Sequence, residues 1–584
     1  MLNPKPRIGV YICHCGVNIS ATVDVEAVAA FAAGLPGVIV ARDYMYMCSD
    51  PGQALIRQDI EEHDLNRVVV ASCSPRMHEP TFRGAAEKAG LNPYLVDMAN
   101  IREQCAWVHV KGAETTGKAK TLVASAVARA ALLEPLEARE VEVTPGTLVI
   151  GGGLAGMVAA LDIADAGFPV TLVEQSDHLG GRVAELDSTY PSLESAAELL
   201  DPLIERVQSH PYIAVLLGSR VAKIEGYVGN FEVSVGKLGN WETGEGDRST
   251  DLPIYQVGSI VVATGYDAFD PRRKPEYGYG QYPNVITTLE MERLLQAKSP
   301  VSNLQSLLPN PQSAIRSVAF IKCVGSRDAQ VGNPYCSRVC CMVAAKQAHL
   351  VKDLLPETAV AVFYMDVRTS GKGGEEFYDE VRKKGVIYRR GNVSEIVRRG
   401  DRVALIAEDT LLGQPIEIEA DLVVLAVGME PRANADSIAT LLKLPRSPDG
   451  FFLELHPKLR PVDTAVDGVF LAGCCQGPKD IPDTVAQAKA AASSALIPLL
   501  RGTVLAESAT AVVEEELCAG CGMCVEVCPY GAPALHPLWG VSRINAVLCK
   551  GCGACASACP SKAIRLQHFT EEQVLAQIDA LVGV

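Results

Sequence analysis

The sequence predicts a multidomain α/β protein, in which a core of two dinucleotide-binding modules lies between an amino-terminal α/β domain and a cysteine-rich carboxy-terminal domain. Three observations predict this fold class. An apolar strand, Thr147 to Ile150, runs into the glycines of GGGLAG. Two similar cysteine runs occur at 518–529 and 549–560. Strand-like and helical stretches alternate through residues 1–140.

Length, charge and cysteine content limit the number of domains, the kinds of partner and the cellular compartment that we expect for this protein. At 584 residues the chain is too long for one core, and its formal net charge of -16 argues against nucleic acid or an anionic membrane as main partner. The start, MLNPKPRIGV, lacks a secretory signal, and no run of about 18 apolar residues occurs, so we expect a cytoplasmic protein without a membrane span. Thiols stay reduced there, so the 19 cysteines indicate metal ligands or redox groups.

Residues 1–140 form the first predicted domain. Four cysteines lie at or just beyond the carboxyl ends of its strands, namely Cys13, Cys15, Cys48 and Cys73. Because parallel strands place these ends on one edge, where open α/β sheets bind ligands, we predict a 4Fe-4S site there. Cys105 is a fifth candidate, and buried apolar cysteines are the alternative. His14 and His78 are expected to make local hydrogen bonds.

Residues 141–312 form the first segment of a predicted FAD-binding domain. The strand that ends at Ile150 is followed by Gly151, Gly153 and Gly156, a helix, and a second strand that ends at Glu174. Such glycines let backbone N–H groups and the helix start approach a pyrophosphate, and the acid suits the ribose hydroxyls. Strand, glycines, helix and acid in register predict dinucleotide binding more strongly than glycines alone.

Later motifs favour FAD over NAD. HLGGR follows the acid, and SIVVATGY resembles the strand and turn that close the FAD domain in two-dinucleotide flavoproteins. GVFLAGCC and a helix beginning at Ile481 lie in the second segment, 435–505. The helix start would place partial positive charge beside the flavin. Flavoproteins of the thioredoxin reductase type usually have an acid where Cys474 stands. The predicted FAD-binding residues are Gly151, Gly153, Leu154, Ala155, Gly156, Glu174, Gly181, Arg182, Ala263, Thr264, Gly265, Gly473, Cys474, Ile481 and Thr484.

Residues 313–434 correspond to the module that holds NADPH in thioredoxin-reductase-like flavoproteins. It begins with the strand SVAFIK and ends with the strand and turn DLVVLAVGMEP, but it has no second glycine fingerprint. In its place stand Cys323, Cys336, Cys340 and Cys341. A cluster bound by thiolates is anionic and suits a helix start as a pyrophosphate does, so we predict a 4Fe-4S site. A redox-active cysteine pair with buried thiols is the alternative.

Residues 506–584 form the last predicted domain. Both runs follow C-x2-C-x2-C-x3-C-P, the pattern of two-cluster ferredoxins, in which the fourth cysteine of each run binds the other cluster. One predicted ligand set is Cys518, Cys521, Cys524 and Cys559. The other is Cys549, Cys552, Cys555 and Cys528. A zinc site is the alternative.

The chain resembles the A-subunit of heterodisulfide reductase over nearly all of its length. The resemblance rests on the C-x12-C-x3-C-C pattern from Cys323 to Cys341, the FAD fingerprint, the double cluster runs and the amino-terminal region. It implies that the four cysteines hold a 4Fe-4S cluster beside FAD, that the amino-terminal domain also carries iron-sulfur, and that Lys346 lies near the flavin as a catalytic residue. No cysteine run occurs between 174 and 315, so this chain is a shorter form without the inserted ferredoxin module.

The resemblance further implies an oxidoreductase that passes electrons between a donor module, ferredoxin and a disulfide-type acceptor, with electron bifurcation at the flavin. The implied partners are other heterodisulfide reductase-type subunits, ferredoxin and a hydrogenase-, formate dehydrogenase- or NADH-linked donor, with a homodimer inside a larger complex. Alternatives are an NAD(P)H-dependent iron-sulfur flavin oxidoreductase, a component of a quinone-linked or aromatic-ring-reducing complex, and a scaffold whose FAD is structural.

Overall fold

The structure is a computed structural model that describes residues 5–137, 139–238, 252–297 and 299–583. It divides into two compact units, one formed by Met1–Glu140 with Leu505–Val584 and the other by Val141–Val504. Two short strands, Arg139–Glu142 and Thr503–Ala506, run through the points where the chain passes from one unit to the other. No helix in the described ranges is long and apolar enough to cross a membrane.

A four-stranded parallel sheet organises the amino-terminal part of the first unit. Its strands, in spatial order, are Val38–Tyr44, Ile8–Cys13, Arg67–Ser72 and Val96–Asn100. The two central strands are buried along their whole length, as expected for a parallel sheet covered on both faces. Its helices are Val25–Ala32, Asp50–Glu62, Pro75–Lys88 and Ala113–Ala130, and a π-helical turn spans Arg102–Ala106.

The carboxy-terminal part of the same unit contains two small antiparallel sheets of two strands each, and three helices. Strand Ala511–Val513 pairs with Ile564–Leu566, and Pro533–Leu535 pairs with Ser542–Ile544. The helices are Met523–Val527, Ala554–Ala558 and Glu571–Val582. Thr570 and Gln573 form a capping box that begins the last helix, which packs against Ala113–Ala130.

Polar contacts join the two parts of the first unit. Arg129 binds the buried Asp97 carboxylate through two N–H groups, at 2.6 and 2.8 Å, and its guanidinium lies 4.6 Å from the centre of the Phe569 ring. Gln573 donates to the Leu132 carbonyl at 2.9 Å. The segments predicted as the separate domains 1–140 and 506–584 therefore lie in one compact unit.

A five-stranded parallel sheet forms the first half of the second unit. Its strands, in spatial order, are Val469–Leu471, Ser259–Val262, Thr147–Ile150, Val170–Val173 and Ile213–Leu216. Helices Leu154–Asp165, Ala196–Ser209 and Ile481–Arg501 accompany it, with an antiparallel sheet of Ile254–Val257, Asn230–Lys237 and Ser219–Tyr227. Because Val469–Leu471 pairs with Ser259–Val262, the late segment of the chain completes the sheet that the early segment begins.

A second five-stranded parallel sheet forms the other half. Its strands, in spatial order, are Val285–Thr287, Leu422–Val427, Ser317–Val324, Ala359–Tyr364 and Ile387–Arg390. Its helices are Thr288–Gln296, Pro300–Gln305, Cys340–Leu354 and Gly374–Lys383, and Val393–Arg399, Arg402–Asp409 and Gln414–Ala420 form an antiparallel sheet. Strand Tyr266–Ala268 pairs with Met429–Pro431, and helix Ala435–Leu442 follows. Two parallel sheets, one inserted into the chain of the other, are the predicted thioredoxin-reductase-like core.

Replacing Arg129 with methionine should loosen the terminal helix Glu571–Val582. The change removes the partner of a buried carboxylate, which typically costs about 3–5 kcal/mol, and also the cation over Phe569. Hydrogen exchange of the helix amides should therefore accelerate. The matched control is Arg565→Met, which removes an exposed arginine 3.7 Å from Glu514. Equal protection in both variants would contradict this role of Arg129.

Candidate redox centres

A cavity of about 940 Å³ lies at the carboxyl ends of the first sheet of the second unit. Its floor is the turn after strand Thr147–Ile150. Gly151 has a φ of +111°, and a Cβ there would lie 2.4 Å from the Ala263 carbonyl oxygen; a Cβ on Gly156 would lie 1.8 Å from the Gly151 carbonyl oxygen. Only glycine fits at these positions, so the backbone and the start of helix Leu154–Asp165 can approach a pyrophosphate.

Most of the predicted FAD-binding residues line this cavity. Glu174 is fixed at its edge because its carboxylate accepts hydrogen bonds from Gly152 N at 2.6 Å and Ser176 N at 2.7 Å. The predicted residues in the lining are Gly151, Gly153, Leu154, Ala155, Glu174, Gly181, Arg182, Ala263, Thr264, Gly265, Cys474, Ile481 and Thr484. Gly156 and Gly473 support the lining from outside it, and Gly473 N donates to Gln487 Oε1 at 2.9 Å.

Cys474 lies where helix Ile481–Arg501 begins. Its thiol donates to the Lys479 carbonyl at 3.6 Å and lies 4.0 Å from Thr484 Oγ1. Burial raises its pKa, so the side chain is a neutral thiol. Asp480 begins the helix and accepts a hydrogen bond from Asp483 N at 2.8 Å. The helix start thus faces the cavity with the Asp480 carboxylate at its first turn and the uncharged Cys474 thiol beside it.

Lys346 is buried in helix Cys340–Leu354 and forms an ion pair. Its Nζ lies 2.7 Å from Glu292 Oε2 and donates to the Ser188 carbonyl at 2.6 Å; Lys346 and Glu292 are 2% and 1% exposed. Gln347 also donates to Glu292. Glu292 lines the cavity, whereas Lys346 stands behind it. The pair places two compensating charges next to the cavity wall.

The cysteines of the 323–341 stretch lie where strand Ser317–Val324 passes into helix Cys340–Leu354. The pKa of Cys323 is raised to about 11, first by burial and next by Cys341. The pKa of Cys340 is also raised, first by burial and then by its neighbours Cys323, Cys341 and Cys336. The four thiols are therefore neighbours. Cys340 donates to the Val427 carbonyl at 3.7 Å, and Val427 lines the cavity together with Val339 and Val343. The cysteines thus lie directly behind the cavity wall.

The loop between this strand and helix is closed by its own hydrogen bonds. Ser326 and Ser337 join their hydroxyls at 3.0 Å, and Ser337 Oγ accepts from Met429 N at 2.8 Å. A Cβ on Gly325 would lie 2.1 Å from the Phe269 ring. Protein atoms consequently occupy the turn at which a dinucleotide fold would bind a second pyrophosphate.

In the first unit the structure brings together four of the five candidate cysteines. The pKa of Cys73 is raised to about 11, chiefly by burial; Arg102 acts against this rise, while Cys15 and Cys13 contribute to it. The pKa of Cys48 is raised by burial and then by Cys15. Arg102 Nη1 donates to Cys15 Sγ at 3.2 Å. Cys105 is different, because its thiol donates to the Thr115 carbonyl at 3.2 Å. Burial raises its pKa and Lys118 acts in the opposite direction, with none of the other four cysteines among the causes.

The two histidines near these cysteines have local partners. His14 Nε2 lies 2.7 Å from Asp43 Oδ2. His78 packs edge-on against Phe82, with ring centres 6.4 Å apart, and burial lowers its pKa.

One predicted set of carboxy-terminal cysteines comes together across the two runs. A small cavity is lined by Cys528 of the first run and by Cys549, Cys552 and Cys555 of the second. Burial raises the pKa of Cys555 to about 11, and these other three cysteines are among its causes. In the other predicted set, Cys518 accepts a hydrogen bond from Ser542 N at 3.3 Å, and Cys524 Sγ lies 3.2 Å from Ser542 Oγ. Cys521 is exposed, and Cys559 Sγ lies 3.6 Å from Ser561 Oγ.

The cysteine sets in the described part of the chain are less compact than four thiolates around a single zinc ion. Four sulfurs bound to one zinc ion at about 2.3 Å would lie about 3.8 Å apart. In the described part of the chain, the one group of three or more potential ligand atoms within 4.8 Å of one another is Asp59, Glu62 and His63, so none of the cysteine sets is that compact. Asp59 is already bound by Arg42 at 2.8 and 2.9 Å. The donor sets, all thiols, fit 4Fe-4S clusters.

Comparison with known proteins identifies the family. The family model described as pyridine nucleotide-disulphide oxidoreductase matches residues 146–495, and the 4Fe-4S dicluster domain model matches residues 517–564. An iron-sulfur A-subunit of the CoB--CoM heterodisulfide reductase of Methanopyrus kandleri is 48% identical to this chain, over 91% of the chain and 92% of that relative. The chain belongs to the heterodisulfide reductase A-subunit family.

Other family members match over almost the whole chain. The A-subunit of the H(2):CoB-CoM heterodisulfide,ferredoxin reductase of Methanothermobacter marburgensis is 46% identical over 99% of this chain and 98% of its own length. Among solved structures, the thioredoxin reductase of T. acidophilum covers 61% of this chain and 99% of its own, at 19% identity and a TM-score of 0.40. Family membership and the two domain models confirm the predicted oxidoreductase, with FAD and 4Fe-4S clusters as its cofactors.

Several side chains around these centres were not predicted from the sequence. Glu292 of the cavity lining, Lys322 beside Cys341, and Arg102 beside Cys15 belong to no motif. Lys322 directly precedes Cys323 in the sequence. A charged residue next to a predicted ligand was the one signal in the sequence that could have indicated its place in this site.

Replacing Cys48 with serine should lower the iron content by about four per chain, because that side chain belongs to the amino-terminal set. Cys105→Ser is the matched control, and it should retain all iron because the Cys105 thiol donates a hydrogen bond to the Thr115 carbonyl. Both contents are measured on protein purified without oxygen. Loss of iron in Cys105→Ser, or full iron in Cys48→Ser, would contradict this choice of four cysteines.

Proposed function

We propose that this chain is the flavin and iron-sulfur electron-transfer component of a heterodisulfide reductase-type complex. It passes electrons between a donor module, ferredoxin and a disulfide-type acceptor on partner chains, with bifurcation at the flavin. The observation that carries this proposal is the shared wall between the cavity and the cysteines, in which Val427 both lines the cavity and accepts the hydrogen bond of Cys340.

FAD supplies the exchange between two-electron and one-electron chemistry. The residues of this chain supply binding and isolation. The glycine turn and the start of helix Leu154–Asp165 would hold the pyrophosphate, and Glu174 would bind a ribose hydroxyl. The apolar side chains of Val339 and Val343 exclude water from the wall in front of Cys340. The 323–341 set is proposed to hold one 4Fe-4S cluster, the amino-terminal set one, and the two carboxy-terminal sets one each.

Partner chemistry is proposed from the names of the relatives. The Methanothermobacter relative is named for H(2), heterodisulfide and ferredoxin, and one of Methanococcus maripaludis, at 42% identity, is named for H(2) or formate. These names support a hydrogenase- or formate dehydrogenase-linked donor, ferredoxin and other heterodisulfide reductase-type subunits as partners. An NADH-linked donor and a homodimer within the complex are proposed from the family resemblance alone. Clustered free thiols favour a reducing compartment, the cytoplasm.

The alternative of direct NAD(P)H oxidation requires a second dinucleotide site. The closed loop between Ser326 and Ser337 argues against one at the expected turn. Purified protein mixed with NADPH should therefore keep its flavin absorbance. Rapid bleaching without partner proteins would favour the alternative.

Cofactor content tests the proposal. Anaerobically purified protein should hold one FAD and about 16 irons, from four clusters of four. Cys340→Ser should lose about four irons and change the rate at which the flavin exchanges electrons with the clusters. Cys475→Ser is the control, since that buried thiol donates to the Val262 carbonyl at 3.1 Å and belongs to no set. About 8 irons in the wild-type protein, or unchanged iron in Cys340→Ser, would contradict the cluster assignment.

Lys346 is proposed to act on the flavin through its pair with Glu292. Lys346→Met leaves a buried carboxylate beside the cavity and should lower the flavin midpoint potential, because flavin reduction would add negative charge near a negative group. Glu292→Gln should raise the potential for the opposite reason. The double variant restores the balance of charge and should return the potential towards the wild-type value.

Potentiometric titration of the flavin absorbance measures all three variants. Lys352→Met serves as control, because Lys352 donates to the Thr358 carbonyl near the far end of the same helix. Equal potentials in the two single variants would show that the pair does not act on the flavin.

A further inference from the structure

Lys322 is a buried cation that no cysteine or glycine motif explains. It precedes Cys323 in strand Ser317–Val324 and is 4% exposed. Its Nζ donates to Cys341 Sγ at 3.3 Å and to the Asp366 carbonyl at 3.0 Å, and lies 5.1 Å from the centre of the Tyr364 ring. Three groups of low or no formal charge thus surround a buried ammonium.

The side-chain carboxylate of Asp366 forms an ion pair with Arg327 and not with Lys322. Asp366 offers Lys322 its main-chain carbonyl, while its side chain binds Arg327 Nη1 at 2.7 Å. Within the described ranges no carboxylate lies within 4 Å of Lys322 Nζ. A buried ammonium without a negative partner is costly, so the arrangement calls for an anion at its sulfur contact. A Cys341 thiolate that binds a metal cluster is such an anion.

We propose that Lys322 holds the Cys341 ligand and raises the reduction potential of the cluster at Cys323, Cys336, Cys340 and Cys341. This inference rests on the cluster assignment of the proposed function. Reduction adds one negative charge to the cluster, and a fixed cation in contact with a ligand sulfur stabilises the reduced form more than the oxidised form. Hydrogen bonds to the sulfurs and net charge are the levers by which proteins set cluster potentials.

The carboxy-terminal sets provide an internal comparison. Cys518 accepts a hydrogen bond from Ser542 N, and Cys549 accepts one from Ala511 N at 3.4 Å. These donors are neutral amides, whereas the donor at Cys341 is an ammonium in a buried site. Charge-assisted hydrogen bonds are the stronger kind. The cluster behind the flavin cavity should therefore be easier to reduce than the two clusters of the carboxy-terminal segment.

The decisive experiment compares Lys322→Met with Lys322→Arg in the full chain. The iron content and the midpoint potential of the cluster are measured together, by electron paramagnetic resonance during a redox titration. The signal of this cluster is the one that disappears in Cys340→Ser. Lys322→Met should keep its iron and shift the reduction equilibrium at least tenfold towards the oxidised cluster, about 59 mV for one electron. Lys322→Arg keeps the positive charge, so its cluster midpoint potential should stay closer to that of the wild type. The control Lys352→Met should have the wild-type potential.

Each remaining outcome has a defined meaning. Full iron with an unchanged potential in Lys322→Met would overturn the proposal. Loss of about four irons in Lys322→Met but not in Lys322→Arg would support it, because the charge would then be required to hold the ligand. Loss in both variants would overturn it in favour of a packing role. If the wild-type protein and Cys340→Ser give the same resonance signals, the cluster assignment itself is refuted, separately from the role of Lys322.

Discussion

The arrangement depends on one turn, where strand Ser317–Val324 passes into helix Cys340–Leu354. In a dinucleotide fold the amides at such a turn and the start of the helix attract a pyrophosphate. Here the Ser326 and Ser337 hydroxyls close the loop, and the first helical turn presents Cys340 and Cys341. The fold keeps the electrostatic advantage of the helix start, and the proposed occupant of this position is a thiolate-bound cluster in place of a phosphate.

Burial makes the proposed clusters and the cations beside them interdependent. The pKa values of Cys340 and Cys73 are raised chiefly by burial, so these thiols are neutral without metal. Metal binding requires thiolates, and the resulting negative charge needs compensation inside the protein. Lys322 at Cys341 is proposed to provide it in one unit, whereas Arg102 in the other contacts Cys15 but also pairs with Glu103 at 2.7 Å. On this proposal, the cation that stabilises a metallated site also makes its cluster easier to reduce.

The sequence predicts the parts of this protein in which chemistry depends on local spacing. The glycine turn from Gly151 to Gly156 and the two carboxy-terminal runs each lie within about a dozen residues, and their spacing follows from the size of the group to be bound. The fold class follows from the same motifs. Other features depend on contacts between distant parts of the chain. The Lys346–Glu292 pair joins two helices 54 residues apart in sequence, and Arg129 meets Phe569 across most of the chain. No local pattern encodes such contacts.

Cys474 shows how one substitution in a motif alters the flavin cavity. A carboxylate at this position would carry a negative charge and accept hydrogen bonds from a hydroxylated ligand. The thiol is kept neutral by burial and directs its proton to the Lys479 carbonyl, so it offers the cavity only a weak acceptor. Lys479, Asp480 and Thr484 also line the cavity at this end and supply its other polar groups. Cys474 therefore adds no negative charge that would oppose a reduced flavin, and the carboxylate at this end is that of Asp480.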